Sequence, residues 1–154
     1  MPWPVVIDTQ TLMEWLVFRD PIGLELGQAL GNGQLRWLGC PAMREELLHV
    51  LGRGVAQRWN PDLAAIEAAF ASHCTELAEA QTDMRLRCRD GDDQKFIDFA
   101  LAQGCFALLT RDKDLRALAK RARARGLWVA PAENVLDALR LSISQACSSA
   151  SAAT

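Results

Sequence analysis

Short apolar runs alternate along the chain with longer segments whose apolar residues recur at helical spacing. Val5-Val6-Ile7 is β-branched throughout, and such runs favour buried strands. We predict strands at residues 5–7, 35–38, 84–88, 106–109 and 127–129. The helical segments are bounded by Pro, Gly or Asp, which begin or end helices. We predict helices at residues 10–18, 22–30, 41–51, 62–79, 93–102, 115–125 and 132–141. This alternation indicates an α/β fold, here a three-layer α/β/α domain with a mostly parallel central sheet.

Length and composition are those of an ordinary globular domain. Of the 154 residues, 50% are hydrophobic and 23% are charged, which is enough to form a buried core. Residues 142–154 are mainly Ser and Ala, and this segment has too little apolar content to pack. We therefore predict one domain over residues 1–141 and a flexible C-terminal tail over residues 142–154.

The cysteine content and the net charge indicate which cellular compartment and which kinds of partner to expect. The five cysteines form no C-x-x-C pair, which disfavours a disulfide framework or a zinc site and favours a reducing cytoplasm. We find no signal-peptide pattern and no apolar run long enough to span a bilayer, so we expect no membrane contact. The net charge of -2 gives no global attraction to nucleic acid, so RNA contact would require a local basic patch.

Acidic residues follow the predicted strands. Asp8 comes directly after residues 5–7, and Asp112 comes shortly after residues 106–109. In parallel sheets, sites form beyond the carboxyl ends of the strands. The alternative for Asp8 is a helix cap. Asp112 or Asp114 can likewise cap the next helix, but capping explains only one of the two comfortably.

Helical spacing separates two acids of the predicted helix 41–51. Glu46 lies three residues after Met43 and four before Val50, at the border of the apolar face. Glu45 falls almost opposite that face. We therefore expect Glu46 to point inward and Glu45 to face solvent.

The same argument applies to the acids around the next predicted helix. Asp93 lies three and four residues before Phe96 and Ile97, so it shares their inward face, whereas Asp92 suits capping and Asp98 faces out. A carboxylate on a buried face is costly unless a cation or hydrogen bonds satisfy it. Asp93 is therefore the candidate for a site.

These acids converge on one edge of the predicted sheet. Neighbouring carboxylates raise each other's pKa, so a cation is needed to keep them all ionised. Oxygen ligands of this kind favour Mg²⁺ or Mn²⁺. Such a site supports phosphodiester hydrolysis.

Several segments resemble, in order, the motifs of the PIN domain, and most closely its bacterial branch of toxin components of type II toxin–antitoxin systems. The matching segments are Val5-Val6-Ile7-Asp8-Thr9, Glu45-Glu46-Leu47, Arg89-Asp90-Gly91-Asp92-Asp93-Gln94-Lys95-Phe96 and Leu109-Thr110-Arg111-Asp112-Lys113-Asp114-Leu115. The resemblance extends over residues 5–141 and includes Pro131-Ala132-Glu133. It implies an α/β/α ribonuclease that depends on Mg²⁺ or Mn²⁺.

The resemblance also assigns roles to single residues. It implies catalytic metal ligands at four acids, with an auxiliary ligand at Asp114 and a supporting hydroxyl at Thr110. The four acids are Asp8, Glu46, Asp93 and Asp112. Gln10 replaces the family's usual Asn, and a displaced hydrogen bond there can change metal affinity or activity by about tenfold or more. The family further implies an RNA substrate, an antitoxin partner and a possible homodimer.

Residues 115–125 form a strongly basic segment. A solvated helix face is the usual interpretation of such a run, and RNA contact through Arg116, Lys120 and Arg123 is the alternative. Trp15 and Leu16 are candidates for a groove that takes a partner helix.

The sequence thus predicts a metal-dependent endoribonuclease that acts as a toxin paired with an antitoxin. The alternatives are a PIN-fold module that binds RNA or protein with weak catalysis, and a phosphatase or structure-specific DNA nuclease that uses the same acids.

Overall fold

Five short parallel strands form the centre of the protein in a computed structural model, which describes residues 1–81 and 86–152. The strands are β1 (Trp3–Ile7), β2 (Leu35–Gly39), β3 (Cys74–Glu76), β4 (Ala107–Leu109) and β5 (Trp128–Ala130). They pair in the order β3-β2-β1-β4-β5. The sheet is therefore centred on β1, whose last residue, Ile7, pairs with Leu109 at the end of β4.

Helices connect the strands and cover the sheet. They are α1 (Thr9–Leu16), α2 (Pro21–Gly31), α3 (Pro41–Gly52), α4 (Leu63–His73), α5 (Gln94–Ala102), α6 (Lys113–Arg116), α7 (Ala119–Ala124) and α8 (Ala132–Ala152). Single 3₁₀ turns lie at Gln57–Trp59 and Gly91–Asp93. Within the described part of the chain, every helix is too short or too polar to span a membrane.

Both faces of the sheet are covered, as the sequence predicted for a three-layer fold. Val5, Val6 and Ile7 are fully buried. Side chains alternate across a strand, so Val5 and Ile7 enter one apolar cluster and Val6 enters the other. The α/β prediction is confirmed.

The third strand differs from the prediction. Of the strand expected at residues 84–88, residues 84 and 85 lie outside the described residues, and residues 86–88 are not in a strand. The helix expected to reach residue 79 instead ends at His73, and Cys74–Glu76 pairs with β2. Gly39 of β2 permits this pairing, because a Cβ there would lie only 3.0 Å from the Sγ of Cys74. Such tertiary contacts override local helix propensity.

Two further helices have bounds that differ from the prediction. The basic segment is divided into α6 and α7, because Leu118 turns inward and its N–H donates to the Leu115 carbonyl at 3.0 Å in a tight turn. Helix α8 continues past residue 141 to Ala152, since no Gly or Pro ends it. Residues 141–149 are exposed along it. The flexibility of residues 142–154 stays a prediction.

Candidate active site

Asp8 lies where β1 meets α1. Its backbone N–H donates to the Leu109 carbonyl at 3.1 Å, which continues the pairing of β1 with β4. One carboxylate oxygen caps α1 by accepting from the Thr11 N–H at 2.9 Å, and the other accepts from the Thr110 hydroxyl. Burial raises the pKa of Asp8, while these hydrogen bonds oppose that rise. Asp8 therefore caps α1 and also lies at the carboxyl end of β1, so capping does not exclude a role in a site there.

Glu46 lies on α3 and faces the same edge. Its Oε1 is 2.7 Å from the Nζ of Lys95, and its Oε2 accepts from the Thr9 hydroxyl. Glu46 is partly buried whereas Glu45 is exposed, so the predicted orientations of these two residues are confirmed. The Lys95 ammonium neutralises Glu46 from within the chain.

Asp93 ends the 3₁₀ turn that precedes α5. The pKa of Asp93 is raised to about 6, first by burial and then by the charges of Asp112, Asp90 and Glu46. The predicted capping role of Asp92 is wrong, because Asp90 caps this turn by accepting from the Asp92 N–H at 3.0 Å. Asp93 thus lies close enough to three other carboxylates for their negative charges to oppose its ionisation.

The prediction that Asp98 faces out is also wrong. This residue is only 5% exposed, and its Oδ1 accepts from the Gln94 side chain at 2.9 Å. The Gln94 amide also accepts from the Cys88 N–H at 2.6 Å and donates to the Leu86 carbonyl at 2.8 Å. The loop at residues 86–88 therefore covers this side of α5, and helical spacing alone cannot reveal such a cover.

Asp112 caps α6 at the end of the loop after β4. Its Oδ1 accepts from the N–H groups of Asp114 and Leu115 at 2.9 and 3.0 Å, and its own N–H donates to the Thr110 hydroxyl at 3.0 Å. Thr110 is fully buried, and its hydroxyl connects the two acids by donating to Asp8 and accepting from the Asp112 N–H. Asp114 contributes its backbone N–H to this cap, and its side chain is not among those that line the acid cavity described below.

The four predicted acids line one cavity of about 340 Å³. The cavity is lined by Asp8, Thr9, Gln10, Met13, Phe18, Glu46, Val50, Val55, Asp93, Phe96 and Asp112. Gln10 is thus brought to the site, while Thr110 and Asp114 lie outside the lining. Most of the remaining lining is apolar.

The donor chemistry of this cavity fits a hard divalent cation. Four carboxylates share the space, and the pKa of Asp93 is raised mainly by burial and further by the negative charges of Asp112, Asp90 and Glu46. Within residues 1–81 and 86–152, however, no three His, Cys, Asp or Glu side chains are already arranged to hold a metal. Both Glu46 oxygens contact Lys95 and Thr9 instead, and both Asp8 oxygens accept hydrogen bonds from Thr11 and Thr110.

Sequence reasoning missed Arg111, which fixes the loop after β4. Its guanidinium lies 2.8 Å from Glu14 of α1 and 2.6 Å from Glu133 of α8. These contacts lower the pKa of Glu133. Lys95 was missed too, since its signal was only a lysine two residues after a candidate ligand.

The predicted RNA-binding and partner-binding residues lie elsewhere. Arg116, Lys120 and Arg123 are exposed and lie outside the cavity lining. Trp15 is partly buried, with its ring centre 5.7 Å from that of Trp37. The structure therefore gives these residues no contact with the acid cavity.

Comparison with known proteins agrees with this arrangement. A family model described as PIN domain matches residues 4–114, well over half of the chain. The matched range contains all four cavity acids. No curated protein matches the chain. The chain therefore belongs to the PIN domain family.

Proposed function

We propose that the protein is a metal-dependent endoribonuclease that hydrolyses RNA phosphodiester bonds. PIN domains are in general metal-dependent nucleases, and the family membership gives the reaction class. The observation that carries the proposal is the meeting of four carboxylates, from four separate segments, in one cavity at the carboxyl edge of the sheet. Capping accounts for Asp8 and Asp112 but not for Glu46 and Asp93.

The residues that would hold Mg²⁺ or Mn²⁺ are the four cavity acids, with Asp114 as an auxiliary ligand. A divalent ion bound there supplies Lewis-acid chemistry for phosphodiester hydrolysis. Thr110 orients the site by donating to Asp8 and accepting from the Asp112 N–H. If Glu46 served as a ligand it would leave Lys95, and the Lys95 ammonium beside the cavity would then be available to attract a phosphate.

We further infer that the protein is the toxin of a toxin–antitoxin pair. The inference rests on the motif resemblance, including Pro131-Ala132-Glu133 after β5. It implies an antitoxin partner and permits a homodimer. Co-expression with a small DNA-binding protein encoded next to the gene would test it, and the expected result is a stable complex with suppressed cleavage.

A second candidate is a PIN-fold binding module with weak catalysis. The observations that favour it are the Lys95–Glu46 ion pair and Gln10 in the cavity lining. Gln10 carries its amide one methylene farther than the Asn usual in the family. The endoribonuclease candidate predicts metal-dependent RNA cleavage by the purified protein, whereas the binding-module candidate predicts binding with little cleavage.

The deciding experiment is cleavage of a mixed RNA substrate with Mn²⁺, Mg²⁺ or EDTA. Asp93→Asn removes a cavity acid, and Glu45→Gln is the matched control because Glu45 is exposed on the same helix as Glu46. We expect metal-dependent cleavage that Asp93→Asn abolishes and Glu45→Gln retains. Metal binding without cleavage by the wild type would favour the binding module, and equal cleavage of single-stranded or structured DNA would favour a DNA nuclease.

A further inference from the structure

The basic residues of the chain are concentrated in the segment that connects β4 to β5. Residues 113–126 carry six basic residues and one acidic residue, a net charge of +5. The other 140 residues carry 11 basic and 18 acidic residues, a net charge of -7. The rest of the protein, with its acid cavity, therefore repels a polyanion, and attraction must come from this segment.

We propose that α6 and α7 form a second contact surface for the substrate, which binds the phosphate backbone of an RNA strand outside the acid cavity. The proposal rests on the proposed function and adds to it a site that positions the substrate. We name this surface the basic ridge. Its members are Lys113, Arg116, Lys120, Arg121, Arg123 and Arg125, all of which are exposed.

Packing directs the basic ridge to solvent. Leu115, Leu118 and Ala122 are buried in the apolar cluster on one face of the sheet, so α6 and α7 turn their opposite side outward. Lys120 and Arg123 are three residues apart on α7 and share a helix face. The ridge is therefore a set of cations on a packed scaffold.

Carboxylates leave most of the basic ridge unpaired. In the described part of the chain, Arg116, Lys120 and Arg121 form no ion pair, whereas Arg111 and Arg140 each pair with carboxylates. Ordinary solvated helices intersperse both signs, because acids and bases three or four residues apart attract each other. A solvated face alone does not account for this segregation of charge.

The parallel sheet places the basic ridge next to the acid cavity. Asp112, one of the cavity acids, caps α6, and Lys113 is the first residue of that helix. Because β4 and β5 are parallel, the segment between them must return from the carboxyl edge of the sheet to its amino edge. The ridge therefore starts beside the cavity and leads away from it. At about 1.5 Å per residue, it spans at most about 18 Å, or about five phosphates of a stacked strand.

The chemistry of the basic ridge fits a phosphate backbone better than an acidic protein. Protein interfaces are centred on apolar or aromatic side chains. Of the large hydrophobic side chains that are exposed in the described residues, none lies between residues 113 and 126. Phosphate contacts require only cations and do not depend on the base sequence.

Binding in EDTA separates the basic ridge from catalysis. Fluorescence anisotropy would measure the affinity for a labelled RNA strand of mixed sequence at several salt concentrations. The ridge variant combines Lys120→Gln with Arg123→Gln, and the control variant combines Arg53→Gln with Arg58→Gln. The control removes the same charge from exposed positions, and Arg58 lies 5.2 Å from a tryptophan ring centre much as Arg123 lies 5.9 Å from another.

Folding of the variants is checked in two ways. Melting curves would establish that each variant is folded, and Gln has nearly the helix propensity of Lys and Arg. A third variant, Lys120→Arg with Arg123→Lys, retains both charges and should bind RNA like the wild type. Weak binding in this variant would mean that charge is not what the ridge supplies.

We expect the ridge variant to bind RNA about 25-fold more weakly than the wild type at about 0.1 M salt, since each phosphate contact to a single strand contributes about fivefold there. The slope of log affinity against log salt should become shallower by about 1.4, or about 0.7 for each contact. The control variant should bind almost as tightly as the wild type.

Three results would overturn the basic ridge. Unchanged RNA affinity in the ridge variant would do so directly. Equal weakening in the ridge and control variants would mean that only the net charge matters. Loss of binding to polyglutamate with RNA binding intact would instead assign the surface to an acidic polypeptide.

Cleavage in Mn²⁺ distinguishes failure of the basic ridge from failure of the nuclease proposal. Cations outside the cavity hold substrate and transition state equally, so the ridge variant should raise KM and leave kcat unchanged. If both proteins cleave with the same KM, the ridge is wrong and the nuclease stands. If the ridge variant loses RNA binding in EDTA but the wild type cleaves nothing, the ridge stands and the nuclease proposal is wrong. Neither binding nor cleavage by the wild type would reject both.

Discussion

The Nζ of Lys95 lies 2.7 Å from the Oε1 of Glu46, across the gap between α5 and α3. The same ammonium donates to the backbone carbonyl of Asp92. One of the four cavity acids is therefore neutralised by a cation of the chain itself. A metal ion bound by Glu46 would compete with this ammonium for the carboxylate.

Replacing Lys95 should strengthen metal binding. In Lys95→Gln the ion no longer competes with an ammonium for Glu46, and we expect Mn²⁺ affinity to rise by about fivefold, since ion pairs near the surface are worth up to about 1 kcal/mol. Titration calorimetry would measure the affinity. Lys120→Gln is the control, because it makes the same charge change on an exposed residue of α7. Weaker binding in Lys95→Gln would show that Lys95 supports the metal site.

Asp93 should make the stability of the metal-free protein depend on pH. Its pKa is about 6 in the folded protein and 3.8 when unperturbed, so between these values the folded state binds more protons than the unfolded state. The free energy of unfolding therefore falls as pH rises through this window, and the loss persists above it. Asp93→Asn should be more stable than the wild type at neutral pH, with the difference shrinking toward pH 4.

Urea unfolding in EDTA across this pH range would test the expectation. Asp92→Asn is the matched control, because Asp92 is the exposed neighbour of Asp93 in the same turn. A constant difference between Asp93→Asn and the wild type at every pH would contradict the assignment of the shifted pKa to Asp93.

The central strand β1 and the orientation of Glu46 could be predicted from local sequence patterns, because each depends on residues only a few positions apart. The run Val5-Val6-Ile7 is buried on both sides and needs no distant information to be recognised as a strand. Helical spacing also separated Glu46 from Glu45, since α3 presents one continuous apolar face. In the parallel pairing of β1 with β4, Ile7 lies opposite Leu109, and this register brings the following residues, Asp8 and Thr110, beside each other.

The remaining features depend on contacts that sequence spacing does not encode. Cys74–Glu76 pairs with β2 where Gly39 leaves room for the Cys74 sulfur, and Asp98 is hydrogen-bonded to Gln94, which also binds the loop at residues 86–88. The Lys95–Glu46 pair joins residues 49 positions apart. Such contacts join residues that are far apart in the sequence, so a local pattern along the chain gives no signal for them.

Thr110 should hold two of the acids in place. Thr110→Val keeps the side-chain volume but leaves the second Asp8 oxygen and the Asp112 N–H without their partner, in a fully buried position. We expect a loss of about 1–3 kcal/mol in the free energy of unfolding, the cost of unsatisfied buried polar groups. Thr110→Ser retains the hydroxyl and should recover most of this loss in urea unfolding. Equal stability of the Val and Ser variants would show that the hydroxyl contributes nothing.

Arg111 should stabilise the protein mainly through Glu14. Its guanidinium bridges Glu14 and Glu133, and each of these has one buried oxygen without a partner, but the Glu14 side chain is only 10% exposed whereas the Glu133 side chain is 35% exposed. Arg111→Met should therefore lower the free energy of unfolding by about 1–3 kcal/mol, the cost of leaving a charged partner unpaired. Arg44→Met is the matched control, because the Arg44–Glu76 pair is exposed, and it should change stability little.

Second substitutions would separate the two partners of Arg111. Adding Glu14→Gln to Arg111→Met removes the buried unpaired charge and should recover most of the lost stability at neutral pH. Adding Glu133→Gln should recover less, because more of the Glu133 side chain is exposed to water than of Glu14. Arg111 holds the pKa of Glu133 low, so this part of the stabilisation should decline as pH falls and Glu133 takes up a proton. Urea unfolding of the four variants and the wild type would measure each effect, and equal recovery by both second substitutions would mean that burial does not distinguish Glu14 from Glu133.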